Sequence, residues 1–509
     1  MGGMQLKNLA KGLFNFTFLT TLYLNHNHLS CLPPEISRLR NLIHLDLSGN
    51  QLTTLTPSLG MLTSLRELLL FDNRLTTLPP ELGNLHQLQM LGIEGNPLDS
   101  KMRSITQKDG TVALIAYLRD SFPPPQSPEA RQWQPIISEG ERRIQLSELN
   151  ASRFNVLCYN ILCEKYATST MYGYTPTWAL DWSYRKEKIL GCIVELDCDI
   201  VCLEVRSSPA SCSLLVFSSH FTTQEVSQIQ YEEFFSPSLH EHGWDSYWAP
   251  KGRAKTMPEI KKRETDGCAT FYKIDKYLLI ENQVVEFRAI AIQRKDFDKS
   301  DDMFNRVFQR DDIAVVTLLE ERATGARLIV ANLHIYWDPD FRDVKLVQVG
   351  ILMEELQRIA DQFARLPPRK AADGTKLTTY SEGTKIPLVV CGDFNSVPDS
   401  GVYQYMNEGF VPPDHPDFMG KNYGEFTSRG MGHKFNLKSA YASIGELPLT
   451  NYTPSFQGAL DYIWYSTNNA TVTDVLGEVD DEYISRVVGF PNAHFPSEYS
   501  LFISFHPCY

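Results

Sequence analysis

The chain has 509 residues, of which 43% are hydrophobic and 21% are charged, and its formal net charge is −13 at pH 7. This length predicts two or more globular domains with ample cores, and the acidic balance argues against a general polyanion-binding protein, which would be basic. It leaves open a nuclease whose carboxylates hold metal, because a bound cation reverses the electrostatics of its site.

The cysteines and the hydropathy pattern indicate the cellular compartment of the protein. The 10 cysteines are scattered through the chain without C-x-x-C spacing, which is typical of buried, reduced thiols in an intracellular protein. No stretch approaches the roughly 18 apolar residues that a membrane helix needs, and no secretion signal is apparent. We therefore expect a protein of the cytoplasm and nucleus with no membrane partner.

A leucine-rich pattern repeats between residues 19 and 98. Its first copy is Leu19-x-x-Leu22-x-Leu24-x-x-Asn27, and further copies follow at a period of 23 residues until Asn96. This motif and period are the signature of leucine-rich repeats, which build a concave protein-binding surface. A purely structural role, as a cap on the next domain, is the alternative. We predict a leucine-rich-repeat solenoid over residues 1–122, closed by a helix at Thr111–Phe122.

Residues 123–150 differ in composition from the repeats that precede them. They begin with Pro123-Pro124-Pro125, which predicts a stiff, exposed linker. Over residues 151–509, short apolar runs alternate with segments of helical periodicity, which predicts an α/β domain. The predicted strands are Phe154–Tyr159, Asp199–Leu203, Cys268–Tyr272, Ile313–Leu319, Arg327–His334, Pro387–Phe394 and Asp461–Tyr465. The predicted helices are Tyr184–Leu196 and Val344–Arg365.

The most informative strand end is Cys391-Gly392-Asp393-Phe394-Asn395-Ser396. Because side chains alternate along a strand, Asp393 and Asn395 share one face while Phe394 turns into the core. The carboxylate can hold a divalent metal or accept a proton, and the amide can orient a phosphate oxygen. A strand that ends in an Asx turn is the structural alternative.

Further polar residues close or open other predicted strands, namely Asn160, His334 and Asp461. Strand ends that converge from distant sequence positions form the site of an open α/β sheet. Each residue also has a structural interpretation on its own. Asn160 can form a turn, His334 can be a hydrogen-bonded core histidine, and Asp461 can cap a β-turn.

In their joint order, these motifs resemble the endonuclease/exonuclease/phosphatase superfamily, which includes deoxyribonuclease I. Joined to leucine-rich repeats, they closely resemble one branch, the poly(A) deadenylases of the carbon catabolite repressor protein 4 type. The shared motifs are Tyr159-Asn160-Ile161-Leu162, Asp266-Gly267-Cys268-Ala269, Asn332-Leu333-His334-Ile335-Tyr336-Trp337-Asp338-Pro339, Asp343-Val344-Lys345, Gly392-Asp393-Phe394-Asn395-Ser396, Asn451-Tyr452-Thr453 and Asp461-Tyr462-Ile463.

The resemblance implies a two-sheet α/β sandwich for residues 151–509 and a role for each matching residue. Glu225 and Asp393 would bind Mg²⁺. Asp393 would also be the acid/base that activates water, Asn395 would orient the scissile phosphate, and Asp461 would support the catalytic dyad. The substrate-binding residues would be Asn160, Glu225, His334 at the phosphate, Asn395, and Pro339, Asn451 and Phe456 around the adenine.

The same resemblance implies the function. The chain would be a poly(A)-specific 3′–5′ exoribonuclease that uses Mg²⁺, removes the poly(A) tail of mRNA and releases 5′-AMP. Its repeats would bind the second deadenylase subunit and the scaffold of the decay complex. Two alternatives stay open, another phosphodiesterase or phosphatase of the same superfamily and a catalytically impaired scaffold.

The chain departs from the family pattern at three places. The family has Leu-Gln-Glu-Val, but here Glu204–Thr223 intervenes before Gln224-Glu225-Val226 and resembles translated intron. The family's second glutamate, after Met257-Pro258-Glu259, is Lys261. The closing Ser-Asp-His reads Ser497-Glu498-Tyr499. Tyr499 therefore takes the place of the catalytic histidine, and we expect the chain as written to cleave poorly.

The insertion leaves two glutamates that could serve as the Mg²⁺ ligand. Glu204 stands one residue earlier than the family glutamate, and a one-residue shift on a strand turns a side chain to the opposite face. We therefore predict that Glu204 points away from the site. Glu225 then binds the metal after residues 204–223 loop out, because closing a long loop costs little more than closing a short one.

Overall fold

The computed structural model describes residues 1–121, 123–142, 153–204, 227–297, 299–369, 378–497 and 500–507. The chain divides into two compact units. The first, which we call the repeat unit, comprises Met1–Ala130, Ala167–Arg185 and Val479–Pro496. The second, which we call the sheet unit, comprises Arg131–Tyr166, Lys186–Glu478 and Ser497–Tyr509. Among the described residues, no helix has the length and apolar character that crossing a bilayer requires.

The repeat unit contains the predicted leucine-rich repeats. A 3₁₀ helix precedes each short strand of the array, and the leucines of the motif are buried in one continuous core. The parallel strands are β1 (Thr21–Tyr23), β2 (His44–Asp46), β3 (Glu67–Leu69) and β4 (Met90–Gly92). The 3₁₀ helices are Lys11–Asn15, Pro34–Arg38, Pro57–Met61 and Pro80–Asn84. The solenoid predicted from the 23-residue period is confirmed.

A ladder of asparagine side chains joins successive repeats. The Nδ2 group of Asn50 donates to the carbonyl oxygen of Leu47 in its own turn at 2.9 Å and to that of Leu24 in the preceding repeat at 3.0 Å. Its Oδ1 atom accepts from the backbone N–H of Leu29 at 3.0 Å. Asn73 repeats this arrangement one period later. These bonds satisfy backbone groups that the tight turns would otherwise leave buried and unpaired.

The helix that closes the array is longer than the sequence predicts. It is α1 (Ser100–Asp120), and the side chain of Asp99 caps it by accepting from the N–H of Met102 at 2.9 Å. Gly110, with a φ of 81°, interrupts the helix and separates the predicted second half from the first half. The first half is polar, with Met102 as its buried residue, so its sequence gives no amphipathic signal.

The sheet unit is built from two large sheets, two further two-stranded sheets and the helices around them. The strands are β5 (Trp133–Pro135), β6 (Phe154–Asn160), β7 (Ile200–Glu204), β8 (Trp244–Pro250), β9 (Gly267–Lys273), β10 (Tyr277–Glu286), β11 (Ile313–Glu321), β12 (Arg327–His334), β13 (Leu388–Asp393), β14 (Phe410–Val411), β15 (Met431–Gly432), β16 (Leu437–Ser439), β17 (Asn451–Thr453), β18 (Phe456–Gly458), β19 (Asp461–Ser466), β20 (Ala470–Leu476) and β21 (Leu501–Pro507). One large sheet, the first sheet, has the order β10-β11-β12-β13-β19-β16, and the other has the order β5-β20-β21-β6-β7-β9-β8. Two separate antiparallel pairs are β14 with β15 and β17 with β18.

The remaining helices of both units follow in chain order. They are α2 (Thr177–Leu180), α3 (Trp182–Leu196), α4 (Gln228–Gln230), α5 (Ser236–Glu241), α6 (Glu259–Lys262), α7 (Phe287–Gln293), α8 (Arg342–Arg365), α9 (Gly401–Glu408), α10 (Glu425–Ser428) and α11 (Asp481–Arg486). Short 3₁₀ helices occur at Gly252–Thr256, Pro339–Phe341, Gly383–Lys385, Pro416–Phe418 and Ala442–Ile444, and π-helical turns at Tyr231–Phe235 and Met303–Val307.

The two sheets pack face to face, and the apolar side of α8 covers the outer face of the first sheet. Asn332 bridges the sheets, because its Nδ2 group donates to the carbonyl oxygens of Leu203 and Ala269 at 3.3 and 2.9 Å. The predicted sandwich is therefore confirmed. The predicted linker contributes a strand of its own, since Trp133–Pro135 pairs with β20.

Candidate active site

The predicted site residues of the first sheet lie together at one end of its central strands. β12 and β13 end there, and β19 begins there. β12 runs parallel to β13 and places His334 opposite Asp393. β19 runs antiparallel to β13 and places Asp461 opposite Asp393. Residues that are directly paired across a sheet point to the same face, so these three side chains face the interior between the sheets together.

Four predicted residues are joined by hydrogen bonds around the carboxylate of Asp393. Asn160, from the second sheet, donates from Nδ2 to Asp393 Oδ2 at 3.1 Å. The backbone N–H of Asn395 donates to Oδ1 at 2.7 Å, which is the Asx turn that the sequence allowed. The amide of Asn395 contacts His334 Nε2 at 3.0 Å, and Nε2 lies 3.8 Å from Asp393 Oδ2. The Asx turn and the polar site are therefore the same structure.

The backbone of the Asp393 loop adopts conformations that few residues tolerate. Gly392 has a φ of 147° and Asn395 a φ of 44°. Asparagine is among the residues that adopt positive φ most readily, and its amide also donates to the carbonyl oxygen of Ile335 at 3.1 Å. A side chain at Gly392 has no room, because a Cβ atom there would lie 1.8 Å from the carbonyl oxygen of Leu333.

We expect Gly392→Ala to destabilise the sheet unit by more than about 3 kcal/mol, because the clash is with backbone and the φ is unfavourable for alanine. The measurement is urea unfolding followed by tryptophan fluorescence. Gly432→Ala is the matched control, since its nearest neighbour would be 3.6 Å from the new Cβ. Equal unfolding midpoints for the two variants would contradict this account of the loop.

Lys345, which belongs to the Asp343-Val344-Lys345 motif, supports the same loop. It lies in α8, is buried, and donates from Nζ to the backbone carbonyl oxygen of Asn395 at 2.6 Å. Its position in a helix distant in sequence from Asn395 explains why spacing alone gave no signal. Ser497 likewise donates from Oγ to the carbonyl oxygen of Asn160.

The residues predicted to hold adenine lie on two loops. Asn451 and Phe456 belong to the β17–β18 hairpin, where Asn451 pairs with Gly458. A Cβ on Gly458 would lie 3.0 Å from Phe456 Cζ, so the ring covers Gly458 on the face that Asn451 shares. Pro339 belongs to a different loop, at the exposed start of the 3₁₀ turn after β12.

Thr450 ties this hairpin to the site, and the sequence reasoning missed it. Its hydroxyl donates to Asp461 Oδ2 at 2.5 Å and accepts from the backbone N–H groups of Leu460 and Asp461 at 3.0 and 3.1 Å. One threonine thus fixes both the carboxylate of Asp461 and the strand that carries Asn451. Threonine beside a motif residue is common, so the sequence holds no specific signal for this role.

The prediction that Glu204 points away from the site is wrong. In the parallel pairing of β6 with β7, Glu204 stands opposite Asn160, so both side chains share the interior face. Glu204 is fully buried, and the thiol of Cys158 lies 3.5 Å from one carboxyl oxygen and 3.6 Å from the other. Burial raises the pKa of Glu204 well above its ordinary value, and the neighbouring thiols of Cys158, Cys202 and Cys268 raise it further.

Glu225, Glu498 and Tyr499 lie outside the described residues. The assignment of Glu225 to the metal and of Tyr499 to the position of the family histidine therefore stays a prediction. Lys261, which stands where the family has a second glutamate, lies in α6 at the surface.

The donor atoms of the site fit a magnesium ion. Asp393 supplies a carboxylate, Asn160 and Asn395 supply amide oxygens, and Mg²⁺ prefers oxygen ligands from one or two carboxylates together with substrate phosphates. Within the described ranges, no group of three or more His, Cys, Asp or Glu residues could hold a metal ion. The site therefore suits a metal that the substrate phosphate and a second carboxylate help to hold.

The fold and this polar site define a phosphoester-hydrolysing enzyme with an attached leucine-rich-repeat domain. Residues 154–485 match the endonuclease/exonuclease/phosphatase family, whose enzymes generally use divalent metal ions, and residues 1–136 match a leucine-rich-repeat region. Among solved structures, ANGEL2, a 2′,3′-cyclic phosphatase, is similar with a TM-score of 0.53 and 23% identity over 74% of this chain and 98% of that chain. At that identity the likeness shows the fold alone.

Curated relatives are much more similar. The CCR4-Not complex 3′–5′-exoribonuclease subunit Ccr4 of Mycosarcoma maydis is 51% identical over 99% of this chain and 73% of its own length. The protein of the same name from Schizosaccharomyces pombe is 48% identical over 98% of this chain and 72% of its own length. The chain therefore belongs to the endonuclease/exonuclease/phosphatase family and, within it, to the family of these Ccr4 subunits.

Proposed function

We propose that this chain is a Mg²⁺-dependent 3′–5′ exoribonuclease that shortens the poly(A) tails of mRNA and releases 5′-AMP. The observation that carries the proposal is the hydrogen-bonded group of Asp393, Asn160, Asn395 and His334 at the edge of the sandwich. The names of the curated relatives, 3′–5′-exoribonuclease subunits of the CCR4-Not complex, support it. We further propose that it acts in the cytoplasm and nucleus.

The residues of the site divide the chemistry among them. Asp393 accepts the proton of the attacking water, because its carboxylate is held in place by Asn160 and the backbone of Asn395. Asn395 and His334, whose side chains meet at 3.0 Å, orient the scissile phosphate, and Asp461 is fixed by Thr450. When bound by Asp393 and Glu225, Mg²⁺ supplies positive charge that makes the phosphate electrophilic.

Recognition of the terminal adenine falls to the β17–β18 hairpin. The half-buried ring of Phe456 offers a stacking face, and the amide of Asn451 offers a hydrogen-bond donor and acceptor for the edge of the base. Both side chains share one face of the hairpin. Pro339 would cover the base from the loop after β12. This arrangement favours a nucleotide substrate over a simple phosphomonoester.

A comparison of substrates tests the proposal against another phosphatase or phosphodiesterase activity. We expect hydrolysis of a 20-nucleotide adenine RNA to exceed that of a nucleoside 2′,3′-cyclic phosphate and of p-nitrophenyl phosphate under the same conditions with Mg²⁺. Faster turnover of the small phosphoesters would favour the alternative. No turnover of any substrate would favour the catalytically impaired scaffold.

The repeats supply a surface for the second deadenylase subunit and the scaffold of the decay complex. The strand residues Tyr23 and Met90 are 55% and 46% exposed although their neighbours Leu22 and Leu91 are buried. Between them on the same sheet, His44 pairs with Glu67 at 2.9 Å, and no basic stripe marks the repeats. A surface with exposed apolar side chains and no basic stripe fits a protein better than RNA.

We expect the double substitution Tyr23→Asp and Met90→Asp to weaken association with the second deadenylase subunit by at least about tenfold, because it buries charge in an apolar contact. The measurement is co-purification of the two proteins followed by calorimetric titration. Val112→Asp on α1, where the side chain is 73% exposed, is the control. If RNA binding falls and the partner still binds normally, the surface has been assigned wrongly.

A further inference from the structure

A second set of side chains stands beside the proposed active site. We call Arg310, Tyr336 and Phe341 the arginine–aromatic cluster. The guanidinium carbon of Arg310 lies 4.2 Å from the centroid of the Tyr336 ring and 4.7 Å from that of Phe341. The two rings meet edge to face, with centroids 5.2 Å apart and planes at 82°. All three side chains are partly exposed.

The cluster is attached directly to the site. Tyr336 follows His334 by two residues, and the carbonyl oxygen of Ile335 between them accepts from the amide of Asn395 at 3.1 Å. Phe341 ends the 3₁₀ turn that begins at Pro339. A strand of RNA whose last nucleotide occupies the site therefore has this cluster within reach of its next nucleotides.

Buried groups hold the cluster in place. The backbone N–H of Tyr336 donates to Gln348 Oε1 at 2.8 Å, and Gln348 Nε2 donates to Asp312 Oδ2 at 2.9 Å. Asp312 in turn accepts from Lys251 Nζ at 2.8 Å. These bonds fix the aromatic platform before any ligand arrives, which lowers the entropy lost on binding.

The arginines near this platform differ in their partners. Arg306 lies 4.1 Å from the Phe341 centroid and is held by Asp343, with Nε and Nη2 each 2.7 Å from a carboxylate oxygen. Arg342 pairs with Asp417 at 3.1 Å. Arg310 has no such acid within the described part of the chain, where its one hydrogen bond runs from Nε to the carbonyl oxygen of Arg306 at 3.2 Å.

An arginine in this state is suited to a phosphate. Stacking on rings fixes the plane of the guanidinium, and its unused N–H groups match two oxygens of a phosphodiester. Arg310 also brings positive charge to a chain whose net charge is −13. Of the acids near Tyr336, Asp312 is already paired with Lys251, and Asp338 caps its own turn by accepting from the N–H of Asp340.

We propose that Arg310, held on Tyr336 and Phe341, binds a phosphodiester group of the single-stranded RNA upstream of the nucleotide that is removed. This subsite rests on the proposed function, because it requires an RNA substrate. It recognises the backbone and not the base, so it adds affinity that is independent of sequence. It also gives a long tail an advantage over a dinucleotide.

The experiment measures RNA affinity by fluorescence anisotropy with the full chain in the Asp393→Asn background, so that RNA is not consumed. Fifteen-nucleotide adenine and uracil RNAs are titrated at several salt concentrations. We expect Arg310→Gln to weaken the binding of both RNAs by about tenfold. It should also lower the magnitude of the slope of log K against log salt by about 0.7, which is the value for one phosphate contact on a single strand. Arg310→Lys, which keeps the charge, should retain the parent slope.

The control is Arg365→Gln. Arg365 is exposed and ends helix α8, which is 24 residues long. A helix of this length places Arg365 roughly 35 Å from Asp343 at its other end. It should leave affinity and slope unchanged. If the parent binds RNA and Arg310→Gln keeps the same slope, the subsite is refuted while the proposed function stands. If the parent shows no salt-dependent RNA binding, the proposed function fails and the subsite with it.

Discussion

Replacing Asp393 by asparagine is expected to lower the rate of poly(A) hydrolysis by at least about a thousandfold, because the variant loses both a metal ligand and the acceptor of a proton. Asparagine has the same shape, so the Oδ1 contact with the backbone of Asn395 at 2.7 Å can persist. The measurement is the initial rate on an adenine RNA at saturating substrate, with the fold checked by circular dichroism.

Asp399→Asn is the matched control for this variant. Asp399 lies six residues further along the same loop and is exposed, so its replacement should leave the rate within about twofold of the parent, as expected for a surface change. If Asp393→Asn turns over at a near-normal rate with an intact fold, Asp393 has no part in the chemistry and the site has been assigned wrongly.

The second large effect is a gain of activity. Replacing Glu498-Tyr499 by Asp-His is expected to raise the rate at least tenfold with little change in RNA affinity. In the family pattern a histidine partnered by Asp461 stabilises charge on the attacked phosphate, whereas a phenol, with a reference pKa near 10, stays neutral. Loss of one such electrostatic contact typically costs about 2.7–4 kcal/mol, or roughly a hundred- to thousandfold in rate.

Residues 498 and 499 lie outside the described ranges, but their described neighbours lie along the site strand β6. Ser497 donates to the carbonyl oxygen of Asn160, and Leu501 pairs with Cys158. We do not expect His494 to substitute, because it precedes position 499 by five residues, which is well over about 10 Å along a strand, and its Nδ1 atom lies 3.0 Å from the hydroxyl of Tyr483. His494→Ala is therefore the control that should not change the rate. If the parent already matches the Asp-His variant, the argument for a missing histidine is wrong.

Much of the fold follows from local patterns in the sequence. The 23-residue period predicts the solenoid, and the long apolar runs predict β6, β11, β12, β13 and helix α8 closely. Short strands such as β5 and β16 were missed, because a strand of three residues is stabilised by its pairing partners and not by its own pattern. The longer strands β8, β10, β20 and β21 were also not predicted. The first half of α1 was missed because it is held by Asp99 and by packing on the repeats.

The site likewise contains residues that local sequence patterns predict and residues whose roles depend on contacts in the folded chain. Asp393, Asn395, His334 and Asn160 were predicted because each closes a strand, and parallel strands of a sheet end at the same edge. The orientation of Glu204 was predicted wrongly, because it depends on the register of β7 against β6. Thr450 and Lys345 gain their roles from contacts that no spacing rule contains.

The central claim is that this site removes nucleotides one at a time from the 3′ end of a poly(A) tail. The most direct measurement follows an RNA with a 5′ label and 20 terminal adenosines on a denaturing gel in Mg²⁺, while chromatography identifies the small product. The account predicts a ladder that shortens by single nucleotides from the 3′ end, with 5′-AMP as the product and no ladder for Asp393→Asn. Internal cleavage, or release of inorganic phosphate without shortening, would contradict it.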